Sequence, residues 1–175
     1  ALQPDMVLLL GDQFVINWRD VVPMGYANVF RQIRAPMGVY AVNGNHEAYH
    51  DFSYSKDPRV NHLYKYLKIN LLNDTAVIVD GQLALIGRAD SSRLHARKSL
   101  TDIMGNLPDG IPTILMDHQP IDLSQAKDCN VDLQLSGHTH NGQLFPMNIF
   151  QRMKGLMNKK LYHGYRQDGG TQYYV

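Results

Sequence analysis

The chain has 175 residues, enough for one domain with a substantial core, and 44% of them are hydrophobic. Lys plus Arg number 17 against 16 Asp plus Glu, so no broad field favours a polyanion or an anionic membrane, and any charge argument is local. The single cysteine, Cys129, excludes a disulfide within the chain or a cysteine-based zinc cluster, and no apolar run reaches the ~18–20 residues of a spanning helix.

The run "DMVLLLGD" is continuously apolar, closes on Gly11 and predicts a strand buried on both faces. "VVPMGYANVFRQI" spaces Val29, Phe30 and Ile33 as one face of a helix. "MGVYAVNGNHE" predicts a second strand with a glycine loop after Val42. "DPRVNHLYKYLK" opens on a proline suited to a first turn and sets Val60, Leu63, Tyr64 and Leu67 on one face. "TAVIVDGQLALIG" predicts two strands about a two-residue turn, Asp80-Gly81. A short helix in "SLTDIMGNL", a buried strand in "IPTILMDHQP", a helix in "DLSQAKDC" and a strand in "VDLQLSGHTH" follow, and "GGTQYYV" reads as the opening of a last strand. Strands alternating with helices, with one hairpin among them, predict an α/β fold with a mixed sheet or two packed sheets, in a single domain over residues 1–175.

Four of these runs end on "GD", "GNHE", "DHQP" and "GHTH". Loops beyond the carboxyl ends of strands form the ligand crevice of α/β folds, so one edge collects Asp12, Asn45, His46, His118, His138 and His140. Carboxylate, amide oxygen and imidazole without thiolate make a donor set suited to manganese, iron or zinc. On an extended backbone His138 and His140 point to opposite sides, which predicts one histidine for each of two neighbouring ions. Gly11, Gly44 and Gly137, each just before a ligand motif, permit a sharp exit from a strand and close backbone approach.

Taken in this order, the four motifs resemble those of the calcineurin-like metallophosphoesterases, over about Asp5 to Gln143. "LMDHQPIDL" and "LSGHTHNGQLFP" are most similar to a bacterial branch with membrane-anchored or exported phosphodiesterase domains. The resemblance implies a four-layer α/β/β/α sandwich and two metal ions holding a hydroxide that attacks phosphorus. It also implies that Asp12 bridges both ions, that Asn45, His118 and His138 complete one site, and that His140 belongs to the other. His46 would stand beside the substrate phosphate as proton donor or transition-state stabiliser, and Glu47 would support the ligands from behind.

The family's Asp-x-His motif, which would supply the rest of the His140 site, is absent from the sequence, and "TQYYV" comes before the closing strand expected of that branch. The expectation is therefore a domain truncated at both ends, with one near-complete metal site and a small phosphoester as substrate. The alternative is a non-catalytic metal-binding scaffold that has lost its first site. A nuclease is disfavoured, because the near-neutral charge provides no basic track for nucleic acid.

Other features carry less. In "GRADSSRLHARK", Arg88 lies nearest the strand end and is the candidate to reach a substrate phosphate, against a solvated loop. Residues 147–161 space Ile149, Phe150, Met153, Leu156, Met157 and Leu161 on a helical face, with Arg152, Lys154, Lys159 and Lys160 mostly elsewhere. That pattern fits an interfacial helix on anionic lipid, a lid beside the site, or an ordinary core-facing helix. His50, His62, His95 and His163 match no motif and read as surface or packing residues.

Overall fold

The computed structural model describes residues 2–14, 16–49, 58–91, 97–140, 146, 149–150, 153 and 163–175. Strands β1 (Val7–Leu9), β2 (Val39–Ala41) and β3 (Asn70–Leu71) form a parallel sheet in that order. Strands β4 (Thr75–Val79), β5 (Leu83–Gly87), β6 (Thr113–Met116), β7 (Leu133–Leu135), β8 (Tyr165–Asp168) and β9 (Thr171–Tyr174) form a second sheet. Its order is β4-β5-β6-β7-β9-β8, with β5, β6, β7 and β9 parallel and an antiparallel strand at each edge.

Alternation along the strands decides which layer each side chain joins. Val7, Leu9, Val39 and Ala41 pack on Val60, Leu63, Tyr64 and Leu67 of helix α3 (Pro58–Leu67). Their neighbours Leu8 and Tyr40 turn the other way, onto Val77, Val79, Leu85, Ile114 and Met116 of the second sheet. The far face of that sheet sends Ile86, Leu115 and Tyr173 to Leu100 and Ile103 of α4 (Leu100–Met104) and Ala126 of α5 (Ser124–Asp128). Three apolar seams thus bind four layers, α/β/β/α. A one-residue slip in β2 or β6 would exchange two seams at once, so register is strongly fixed.

Several elements differ from the sequence expectation, each for a physical reason. β1 is only partly buried on both faces, because it lies at the edge of a three-stranded sheet. Helix α1 runs only over Tyr26–Phe30, after Gly25 at φ 80°, and buries Ala27 while Val29 is 66% exposed. Beyond Val42 the chain does more than loop: Asn45–Tyr49 form a short helix, α2. The hairpin register pairs Val79 with Leu83, so the turn holds three residues, with Asp80 and Gly81 both left-handed. "GGTQYYV" does carry the last strand, and β9 hairpins with β8 and pairs in parallel with β7. The amphipathic segment 147–161 lies almost wholly outside the described residues, of which Ile149, Phe150 and Met153 are exposed. Among the described residues no helix is long and apolar enough to cross a membrane.

Candidate metal centre

The carboxyl ends of β1, β2, β6 and β7 meet at one edge of the sandwich, two from each sheet. They deliver Asp12, Asn45, His118 and His138 to a common point. His118 Nε2 lies 3.0 Å from Asn45 Oδ1 and 3.3 Å from Asp12 Oδ2, and His138 Nδ1 lies 2.7 Å from the same Asn45 oxygen. The donor atoms of Asp12, His118 and His138 all fall within 4.8 Å of one another.

The tautomer of His118 follows from its other nitrogen. Nδ1 is 2.6 Å from the Leu10 carbonyl, which can only accept, so Nδ1 carries a proton and Nε2 is the nitrogen left to face Asn45 and Asp12. With Nε2 deprotonated, a cation between it and those two oxygens satisfies all three atoms at once. Partial burial, reinforced by the neighbouring His118, pushes the His138 imidazole below its ordinary pKa and favours its neutral, ligating form. The residues therefore fit a cation by the test of their own lone pairs.

Glu47 ties the loops together from behind. It is 2% exposed, and its carboxylate accepts the backbone N–H groups of Asp12 at 2.8 Å, Phe14 at 2.8 Å and Gly44 at 2.7 Å. Burial raises its pKa, and those three donors oppose the rise. The backbone N–H of His46 donates to Asp12 Oδ1 at 2.9 Å, while the His46 ring is 43% exposed with Nε2 3.9 Å from Asp12 Oδ2. Glycine is required at two of the three positions singled out. A Cβ on Gly11 would strike His118 Nδ1, and one on Gly44 would strike the Asp12 carboxylate. Gly137 meets only ordinary contacts, at 3.6 Å or more.

Asp12, His138 and His140 have φ of 56°, 68° and 51°, a left-handed backbone uncommon outside glycine. The alternation argument for His138 and His140 therefore does not apply, because neither residue is extended. His140 lies outside the tight Asp12–His118–His138 group but lines the same pocket, of about 390 Å³, with Leu10, Asp12, Thr139, His163 and Val175. His163, which no motif marks, lines this pocket as well. The only signal for it in the sequence is its place just before Gly164 and the last hairpin.

Arg88 does not join them. It is 4% exposed, donates to Gln125 Oε1 at 2.8 Å and to the Lys98 carbonyl at 3.2 Å, and lies 3.8 Å from Asp117. Arg97 grips the same buried carboxylate through two nitrogens, at 2.6 and 3.2 Å. These arginines hold Asp117, the residue before His118, and are not among the residues lining the pocket.

Fold and donor set together define an α/β/β/α protein with a candidate metal centre at its strand ends. The chain belongs to the calcineurin-like phosphoesterase family, whose sequence profile matches residues 1–142. A Helicobacter pylori protein described as an uncharacterized metallophosphoesterase is 31% identical over 175 residues, covering 98% of this chain and 44% of the relative. A Bos taurus transmembrane protein with a metallophosphoesterase domain is 31% identical over 170 residues, covering 85% of this chain and 36% of the relative. The chain thus spans less than half the length of these relatives. One solved crystal structure aligns with 99% of this chain and 79% of its own at a TM-score of 0.53 and 11% identity, a likeness of fold.

Proposed function

We propose that residues 1–175 act as one metal-dependent phosphoesterase domain that hydrolyses a small phosphodiester. In this reading Asp12, Asn45, His118 and His138 hold one ion, and Asp12 and His140 serve a second. The observation that carries it is that His118 Nε2 lies 3.3 Å from Asp12 Oδ2 and 3.0 Å from Asn45 Oδ1. Bound manganese, iron or zinc supplies Lewis-acid neutralisation of phosphoryl oxygens and activation of a water as nucleophile.

The chain's own groups do the rest. Glu47 fixes the loop that aims the Asp12 carboxylate, so little reorganisation remains when substrate arrives. In this reading His46, whose ring is 43% exposed with Nε2 3.9 Å from Asp12 Oδ2, serves as proton donor to the departing alkoxide. The described residues lining the pocket include no lysine or arginine. A singly charged diester suits such a wall better than a doubly charged monoester. Rates on bis(p-nitrophenyl) phosphate and on p-nitrophenyl phosphate, each with added Mn²⁺, test this: the diester is the better substrate, and a strong monoester preference would overturn the assignment.

A further inference from the structure

The pocket above the metal centre has a wall that the ligand motifs leave unexplained, and His163 forms part of it. Backbone bonds fix its position. Ser136 N–H, at the exit of β7, donates to the Tyr174 carbonyl at 2.9 Å. One residue on, Val175 and Gly164 exchange both of their N–H···O bonds, at 3.0 and 2.8 Å. This ladder sets the residue before Gly164 beside the loop that carries His138 and His140. Gly164, at φ 85°, supplies the turn there.

His163 lines the pocket without being among the groups whose donor atoms cluster within 4.8 Å. The two nearby arginines, Arg88 and Arg97, are committed to Asp117. Beyond the residues assigned to the two ions, the described side chains lining this pocket that can donate to an anion are those of Thr139 and His163. We propose that His163 is a substrate-contacting residue whose imidazole N–H hydrogen-bonds a non-bridging oxygen of the phosphodiester, an inference that rests on the phosphoesterase reading above. Bonds to an ionised oxygen are among the stronger ones and discriminate by geometry.

The test uses the full chain loaded with Mn²⁺, and His163→Ala and His163→Gln variants of it. Calorimetry gives the Kd for Mn²⁺ and for inorganic phosphate, and hydrolysis of bis(p-nitrophenyl) phosphate gives KM and kcat. The expected result is an Mn²⁺ Kd within about twofold of wild type, with phosphate Kd and KM raised roughly tenfold in His163→Ala and partly restored in His163→Gln, which keeps an N–H donor. A parallel loss of Mn²⁺ affinity would make His163 a ligand and overturn the inference. Unchanged phosphate affinity and KM would overturn it too, while leaving the metallophosphoesterase reading intact. A wild-type chain that binds no Mn²⁺ would remove both.

Discussion

The carboxylate of Glu47 accepts the backbone N–H of Asp12 at 2.8 Å across 35 residues of chain, joining the loop after β1 to the first turn of α2. The same side chain holds Gly44 and Phe14, so one buried acid sets the position of the residue that most needs to be placed. Replacing it by alanine leaves three N–H donors, two of them buried, without a partner. An unsatisfied buried donor costs about 1–3 kcal/mol, so Glu47→Ala lowers stability by roughly 3–5 kcal/mol in chemical denaturation. Glu47→Gln retains one acceptor oxygen, and its expected signature is a folded protein whose Mn²⁺ affinity falls about tenfold or more.

Gly44 touches Asp12 from the other side. Because a Cβ there would overlap the Asp12 carboxylate, Gly44→Ala forces that carboxylate to move. Mn²⁺ affinity measured by calorimetry falls by about ten- to a hundredfold, the usual range for displaced ligand support. Gly137→Ala, where the nearest atom is 3.6 Å away, leaves it within about twofold and serves as the control.

The buried pair of Asp117 and Arg97 gives a prediction about stability. Asp117 is 2% exposed, burial raises its pKa, and Arg97 offsets part of that rise. Arg97→Met strands the carboxylate with Arg88 as its remaining cation at 3.8 Å. Removing one partner of a buried pair costs about 3–5 kcal/mol, which for a chain of this size lowers Tm by roughly 10 °C. Asp117→Asn together with Arg97→Met does not recover that loss, since it takes from the buried Arg88 the carboxylate 3.8 Å away.

His46 separates chemistry from metal binding. Its ring is exposed and its nearest approach to Asp12 Oδ2 is 3.9 Å, too long for a shared proton. His46→Ala is expected to keep Mn²⁺ affinity and to lower kcat by roughly a hundredfold or more, the span of general-acid loss. Metal content falling in step with kcat would show instead that His46 is a ligand.

Much of the architecture was legible because alternation and termination signals coincide. Val60, Leu63, Tyr64 and Leu67 are all buried at their expected helical spacing, and the runs ending in "GD", "GNHE", "DHQP" and "GHTH" all reach one edge. Less legible was anything that depends on which way a loop turns. Arg88 follows its strand directly, yet it is taken up by Asp117 and Gln125 and does not line the pocket. The left-handed backbone at His138 and His140 cannot be inferred from a histidine pair, and it voids a geometric argument that holds only for extended chain. His163 reaches the pocket through a ladder between strands remote in sequence, which no local pattern records.

The central claim is that Asp12, Asn45, His118 and His138 enclose a cation. Titrating Mn²⁺ into the metal-stripped chain and into its His118→Ala variant, with binding followed by calorimetry, tests it most directly. One tight site in the wild type, weakened at least a hundredfold in the variant, is the predicted result. Equal Mn²⁺ affinity in both proteins, or no binding to the wild type, would contradict it.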